Sequence, residues 1–269
     1  MHERVSVNGL CFFGSPLSEV AEAWRELGPR RVSFTSLLID GDVTPAREVV
    51  RAGGYAVETV SHPFIWGHLD AGEDALAEAA DRLMWTLAAA AQLGARSVYV
   101  VSGGRGCLTW EEAAERFSRA IEPCVSAARE AGVALLTESA SQLRADMHIA
   151  HSLRDTVTLA EMAGIGVCID VYNCWTEAGL RESIERAMPR CHLIQIGDYV
   201  YGDLSTPGRA VPGDGHIPLR RILDWALSAG YSDGFDLELI GPRIDGEGRV
   251  DAARRAAHNV GELLESLGA

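Results

Sequence analysis

Residues 97–138 read SVYVVSGGRGCLTWEEAAERFSRAIEPCVSAAREAGVALLTE, and they contain one complete strand–helix–strand unit. The apolar runs 97–102 and 133–138 predict two strands. Between them, the capping-box pattern at 109–112 predicts the start of a helix, and Gly132 is placed to end it as a C-cap glycine. Both runs are apolar at successive positions, which is typical of parallel strands that helices cover on both faces.

The same unit recurs along the chain, because helical segments rich in alanine, glutamate and arginine separate eight short apolar runs. The predicted strands are 5–12, 31–36, 55–61, 97–102, 133–138, 166–170, 192–196 and 235–239. With a last helix at 248–267, this alternation predicts a single (β/α)8 TIM barrel as one domain over residues 1–269. An open doubly wound sheet is the alternative. It is disfavoured because no G-x-G-x-x-G turn follows the first strand, and the glycine cluster at 102–106 has the wrong spacing.

The charge composition excludes several kinds of chemistry. The formal net charge is −14, and all 24 basic residues are arginine, so no lysine occurs. Schiff-base aldolases, pyridoxal-phosphate enzymes and Walker-type phosphate loops each need a lysine nitrogen. The acidic balance also argues against a nucleic-acid partner, since such proteins present a clustered basic surface.

Cysteine usage and hydropathy predict a cytoplasmic protein with no membrane partner. The six cysteines are scattered without a C-x-x-C pair, which is typical of reduced, buried thiols. The longest weakly polar run, 83–95, is too short to span a bilayer, and the N-terminal segment is a poor signal peptide.

Polar side chains stand at the ends of four consecutive predicted strands, where a parallel barrel carries its active site. They are Glu138, Asp170, Gln195 and Glu238. Three carboxylates at one barrel mouth repel each other strongly unless a cation or shared protons offset their charge. A divalent metal is the simplest solution, and an all-oxygen ligand set favours Mg²⁺ or Mn²⁺ over zinc.

These residues also carry a family resemblance that covers the whole chain. The motifs are Thr137-Glu138, the segment CIDVYNCW at 168–175, QIGD at 195–198, VPGDGHI at 211–217 and DLE at 236–238. Their order and spacing resemble the xylose isomerase-like TIM-barrel superfamily, in its sugar-phosphate isomerase/epimerase branch. The P-G-x-G-x-I motif followed by a strand-eight glutamate is the most specific part.

The resemblance implies one divalent metal held by Glu, Asp, His and Glu from strands five to eight. The matching positions are Glu138, Asp170, Gln195 and Glu238, so an amide stands where the family has histidine. The amide oxygen gives a weaker and harder site than imidazole, which points to Mn²⁺ or Mg²⁺, with Co²⁺ and Zn²⁺ as further candidates. Asn173 replaces a second histidine that is often found three residues after the aspartate.

The activity that the resemblance implies is proton transfer next to a carbonyl through an enediolate, with Glu138 and Glu238 as the base and acid. The hydride-shift aldose isomerases of the superfamily employ a lysine, which this chain lacks. We therefore expect a metal-dependent isomerase or epimerase of a keto-sugar, cyclitol or related polyhydroxy carbonyl compound, and the resemblance implies a homodimer or homotetramer. Candidate substrate-binding residues are His62, Trp66, His148, Asn173 and Arg209.

Three alternatives stay open. A lyase, either a dehydratase or a 3-keto-glycoside eliminase, would use the same metal and base. An apurinic-site endonuclease shares the barrel but needs a histidine-rich three-zinc cluster and a basic face, which eight histidines and a charge of −14 disfavour. The third alternative is a non-catalytic sugar-binding barrel, because Gln195 and Asn173 stand where the family has histidines.

Overall fold

The computed structural model describes residues 1–269, and its eight strands form one closed parallel barrel in chain order, with the last strand pairing with the first. The strands are β1 (Val5–Asn8), β2 (Arg31–Thr35), β3 (Ala56–Pro63), β4 (Ser97–Val101), β5 (Ala134–Thr137), β6 (Gly166–Asp170), β7 (Cys191–Ile196) and β8 (Phe235–Leu237). The predicted (β/α)8 TIM barrel is confirmed.

Ten helices connect the strands, and eight of them form the outer layer of the barrel. These eight are α1 (Leu17–Leu27), α2 (Thr44–Gly53), α3 (Glu73–Leu93), α4 (Trp110–Ala131), α5 (Leu153–Ala163), α7 (Leu180–Ala187), α8 (Leu219–Ser228) and α10 (Arg249–Ser266). Two short helices, α6 (Val171–Cys174) and α9 (Pro242–Glu247), lie in the connections after β6 and β8. None of the ten is both long and apolar enough to cross a lipid bilayer.

Helix α4 begins and ends as its sequence predicts. The Thr109 side chain accepts a hydrogen bond from the Glu112 backbone N–H, and the Glu112 carboxylate accepts one from the Thr109 N–H. Gly132 ends the helix at φ 68°, a left-handed conformation that glycine adopts without steric cost. These local signals fix where the chain turns back toward β5.

Five predicted strands end earlier than the sequence suggests, and β2 and β4 do so by a single residue. β1 ends at Asn8, because the Asn8 side chain accepts a hydrogen bond from the Leu10 N–H and starts a 3₁₀ turn over Gly9–Phe12. β5 and β8 end at Thr137 and Leu237. Glu138 and Glu238 therefore lie one residue beyond their strands, at the mouth of the barrel.

The interior of the barrel has an apolar side and a polar side. Tyr99, Leu136, Cys168 and Leu193, from four successive strands, form a buried cluster of their own. Opposite them, the carboxylate of Asp236 accepts hydrogen bonds from the side chains of Ser6, Ser33 and Asn8 at 2.5, 2.7 and 2.7 Å. Burial raises the pKa of Asp236 to about 7, although these three donors act against the rise.

Glu58 closes the end of the barrel opposite the mouth. Its side chain is fully buried and accepts hydrogen bonds from Arg31 at 2.8 Å and from Arg96 at 3.1 Å. A Cβ on Gly234, just before β8, would lie 2.8 Å from the Glu58 carboxylate, so this glycine leaves room for it. The ion pairs join the beginnings of β2, β3 and β4, and Arg96 also pairs with Asp233, just before β8.

We predict that Glu58→Gln destabilises the fold by about 2 to 3 kcal/mol. Breaking a buried pair typically costs about 3 to 5 kcal/mol, and the partial exposure of both arginines reduces that value here. Urea denaturation measures the change. Glu78→Gln is the control, because Glu78 forms an exposed pair with Arg82 on α3. Equal midpoints for the two variants would contradict the role assigned to Glu58.

Candidate functional site

Four neighbouring strands bring the predicted ligand residues together at the mouth of the barrel. Glu138 follows β5, Asp170 ends β6, Gln195 lies in β7 and Glu238 follows β8, and Asp170 is paired in register with Gln195. Glu138, Asp170 and Glu238 offer oxygen atoms that all lie within 4.8 Å of one another. We call these three residues the carboxylate cluster. None of them is more than 9% exposed.

Arg209 lies inside the carboxylate cluster. Its Nη1 and Nη2 donate to Asp170 Oδ1 and Oδ2 at 3.1 and 2.6 Å, and Nη2 also donates to Glu238 Oε1 at 2.8 Å. The residue is 4% exposed, and its guanidinium carbon lies 4.5 Å from the centroid of the Tyr172 ring. One fixed positive charge thus faces three carboxyl groups, which leaves two negative charges uncompensated when all three are ionised.

Backbone hydrogen bonds of the loop after β7 hold Arg209 at the cluster. Asp198 and Ala210 exchange two hydrogen bonds at 3.0 and 2.8 Å, and the Arg209 N–H donates to the Ile240 carbonyl at 3.2 Å. The Asp198 carboxylate accepts four backbone N–H groups, which fixes the P-G-x-G segment. A Cβ on Gly197 would lie 3.3 Å from Arg209 Cδ, so a glycine here leaves room for the arginine.

Gln195 contacts the cluster through its amide nitrogen. Nε2 donates to Glu238 Oε2, and the amide oxygen accepts a hydrogen bond from the Cys168 thiol at 3.1 Å. The predicted ligand atom, the amide oxygen, therefore points to Cys168 in this arrangement. A half-turn of the amide exchanges its nitrogen and oxygen without changing its shape, so the residue can present either group to the cluster.

Burial and mutual repulsion favour protons on the two glutamates. Burial, followed by the charges of Glu238 and Asp170, raises the pKa of Glu138 well above its usual range. Burial raises the pKa of Glu238 to about 7, and the charge of Arg209 opposes that rise. Glu138 Oε2 is buried without a hydrogen-bond partner. The cluster therefore needs protons or a further cation to balance its charge.

Asn173 and His148 support the cluster from behind. Asn173 Nδ2 donates to Asp170 Oδ2, and to the Ser139 carbonyl at 2.8 Å. His148 lies 2.7 Å from the Glu138 carbonyl through Nε2 and accepts the Ser102 N–H at Nδ1. The ring is 1% exposed, and burial lowers its pKa to about 4, so it is neutral. The structure thus gives His148 backbone partners in place of the predicted substrate contact.

His62 points away from the mouth, in contrast to its predicted position. β3 contains one extra residue between Val57 and Val60 relative to β2, so Ser61 pairs with the inward-facing Tyr99 and His62 turns outward. There its Nδ1 lies 2.9 Å from the Thr86 hydroxyl on α3. Burial, followed by the charge of Arg82, lowers the pKa of His62 to about 4. His62 therefore packs against α3 and does not face the site where a substrate contact was predicted.

Trp66 remains at the mouth and is 65% exposed. It lines a cleft of about 260 Å³ between the loops that follow β3 and β5. A larger surface groove of about 980 Å³ lies between the loop after β7 and α10, but none of the cluster carboxylates lines it. The size of a cavity therefore does not identify the acidic site in this protein.

Two site residues were not predicted from the sequence. The Tyr99 hydroxyl donates to Glu238 Oε2 at 3.5 Å, and the Cys168 thiol contacts Gln195. Tyr99 and Cys168 each lie two residues before the last residue of their strand, and their side chains point into the barrel. Counting every second residue back from the strand ends would have found them.

Comparison with known proteins supports the same fold. The sequence model of a family described as "Xylose isomerase-like TIM barrel" matches residues 20–263. No curated protein sequence gave a significant match.

Three solved structures are similar to this protein over nearly its whole length. The IolI protein "with a binding zinc atom" is 16% identical, with 98% of this chain and 99% of that chain covered and a TM-score of 0.83. An L-ribulose 3-epimerase is 19% identical, with coverages of 98% and 95% and a TM-score of 0.80. The 3-keto-D-glucoside 4-epimerase YcjR of E. coli is 15% identical, with 98% of both chains covered and a TM-score of 0.77. At sequence identities of 15% to 19%, the similarity to these structures shows a shared fold and no more.

We predict that Arg209→Met destabilises the protein in a pH-dependent way. Without the guanidinium the pKa of Glu238 rises above its present value of about 7. When the pKa of a carboxyl group is higher in the folded state than in the unfolded state, the folded protein loses stability as the pH rises through the folded-state pKa. The loss should reach about 3 to 5 kcal/mol at pH 8 and be smaller at pH 5.

Urea denaturation at the two pH values measures this difference. Arg243→Met is the control, because Arg243 forms a half-exposed pair with Asp203 outside the cluster. An equal loss of stability at pH 5 and pH 8 in Arg209→Met would refute the role of Arg209 as the counter-ion of Glu238.

Proposed function

The chain belongs to the xylose isomerase-like TIM-barrel family, and from that premise we propose that it is an isomerase or epimerase of a keto-sugar, cyclitol or related polyhydroxy carbonyl compound. The observation that carries this proposal is the pair Glu138 and Glu238, two buried glutamates with raised pKa values in one acidic cluster. The cytoplasmic location and the homo-oligomer remain predictions from the sequence.

The two glutamates suit a reaction that removes a proton from carbon and returns one. A general acid or base works best when its pKa lies near the operating pH, and that of Glu238 is raised to about 7. Arginine stays protonated, and the chain has no lysine, so the proton carriers at this site are the carboxyl groups. In an epimerase or isomerase, one glutamate takes the proton next to the carbonyl and the other supplies a proton to the enediolate.

The residues at the site fit a divalent metal. Three carboxylates and one guanidinium leave two negative charges, and Glu138 Oε2 is buried without a partner. Glu138, Asp170, Gln195 and Glu238 would hold the ion, with Gln195 turning its amide oxygen toward it. An oxygen set favours Mn²⁺ or Mg²⁺ over Co²⁺ or Zn²⁺. When bound, the metal polarises the substrate carbonyl and stabilises the developing negative charge.

The neighbouring side chains orient the acid and the base. Arg209 and Asn173 hold both oxygens of Asp170. Arg209 also binds Glu238 Oε1, while Tyr99 and Gln195 donate to Glu238 Oε2. Glu138 has no such partners on its free oxygen, so it is the less restrained of the two glutamates. We assign Glu138 as the group that adapts to the substrate and Glu238 as the group held in a fixed position.

We predict that Glu138→Gln and Glu238→Gln each abolish turnover while the fold remains intact. A glutamine keeps the shape of the side chain but cannot carry the proton. The measurement is NMR in D₂O over a panel of ketopentoses, ketohexoses and inososes, which detects deuterium entering at the carbon next to the carbonyl. Glu262→Gln, a surface change, is the control.

The same spectra separate the epimerase from the lyase that shares its first step. Deuterium at a stereocentre without loss of mass supports the epimerase or isomerase. Loss of water or of an aglycone from the substrate supports the lyase. Undiminished turnover in Glu238→Gln would overturn the assigned chemistry.

We also predict that Gln195→His tightens Mn²⁺ binding on the order of tenfold, equivalent to about 1.4 kcal/mol. An imidazole nitrogen is a better donor than an amide oxygen for this ion. Isothermal titration with Mn²⁺ measures the affinity. Gln92→His, at an exposed position of α3, is the matched control. An unchanged affinity in Gln195→His would remove Gln195 from the ligand set.

A further inference from the structure

The cleft beside Trp66 lies next to the carboxylate cluster, and the reaction proposed above does not use it. Its volume is about 260 Å³. The loop after β3 forms one wall, the loop after β5 forms the other, and the ends of β3 and β4 form the floor. The lining residues that matter here are Pro63, Trp66, His68, Val101, Arg144 and Asp146.

The glycine cluster at 102–106 builds this cleft. The Gly104 N–H donates to the Gly67 carbonyl at 2.9 Å, and the Gly103 N–H donates to the Met147 carbonyl at 2.8 Å, so both walls are tied to one segment. A Cβ on Gly103 would lie 2.3 Å from Ile65 Cγ2, and one on Gly104 would lie 2.9 Å from the Asp146 carbonyl oxygen. Glycine at both positions is therefore needed to bring the two loops together.

The floor of the cleft adjoins the catalytic residues. Val101 is paired in register with Pro63, and Val100 with Thr137, which places Val101 beside Glu138 on the next strand. The wall residue Met147 precedes His148, whose ring lies 2.7 Å from the Glu138 carbonyl. A ligand with its reacting carbon at the carboxylate cluster can therefore extend into the cleft along the mouth.

The lining has the chemistry of a carbohydrate subsite. The Trp66 side chain is 65% exposed, and the negative face of its ring attracts the C–H groups of a sugar. Arg144 and Asp146 pair with each other at 3.4 Å, both side chains are at least 38% exposed, and their remaining atoms supply hydrogen-bond donors and acceptors for hydroxyl groups. The volume is below the roughly 300 Å³ of pockets for drug-sized ligands, so the cleft suits one ring.

We propose that the cleft is a subsite for a second sugar ring, and that the substrate is therefore a keto-glycoside of at least two rings instead of a free keto-sugar. This inference rests on the proposed function, because it places the first ring at the carboxylate cluster. Trp66 stacks on the second ring, and Arg144 and Asp146 bind its hydroxyl groups.

The test compares the affinities of a 3-keto-hexose, the matching 3-keto-disaccharide and the phenyl 3-keto-glycoside. Titration calorimetry in the Glu238→Gln background measures binding without consuming the ligand. We expect the disaccharide to bind about tenfold more tightly than the monosaccharide. Adding Trp66→Ala should remove this advantage and leave the monosaccharide affinity unchanged. Trp85→Ala is the matched control, because Trp85 lies on α3 outside the cleft and is 38% exposed.

Three results would overturn the subsite. They are equal affinities for the two sugars, an equal loss for both in Trp66→Ala, and tight binding of the phenyl glycoside without tight binding of the disaccharide. Failure of the proposed function gives a different result. In that case the keto-disaccharide still binds through Trp66, but wild-type protein in D₂O introduces no deuterium and releases no product.

Discussion

The buried guanidinium of Arg209 is the interaction on which the site depends. Asp170 and Glu238 share it, with Nη–O distances between 2.6 and 3.1 Å, at a position that is 4% exposed. Removing charges from water costs several kcal/mol per ion, so a buried acidic cluster forms only where opposite charge is built in. Arg209 supplies one positive charge, so two negative charges remain when all three carboxyl groups are ionised, and protons or a divalent cation can balance them.

Much of the surrounding structure serves to hold this arginine in place. Gly197 leaves room for its side chain, and the Asp198 carboxylate fixes the backbone of the P-G-x-G segment that follows it. The ring of Tyr172 packs against the guanidinium. On the other side of the mouth, Gly103 and Gly104 join two loops into a cleft. Gly197 therefore leaves room for the charge at the carboxylate cluster, and Gly103 and Gly104 shape the cleft that we propose as a subsite.

The sequence predicted the barrel and the four mouth residues because both follow from local patterns. Apolar runs recur with helical segments between them, and a strand end is visible as the point where the run meets a polar residue. Other features depend on contacts distant in sequence. The extra residue in β3 reverses the direction of His62, and no local signal marks it. Arg209 reaches the cluster only because its loop pairs with Asp198 and Ile240, which the sequence does not reveal.

The central claim is that protons and a divalent cation compete for the charge that Arg209 leaves uncompensated, and counting the protons released on Mn²⁺ binding tests it most directly. Titration calorimetry at pH 7, repeated in buffers of different ionisation enthalpy, gives that number. The account predicts the release of about one to two protons per bound ion, because metal ligands must be deprotonated. Mn²⁺ binding without proton release, or no binding at all, would contradict it.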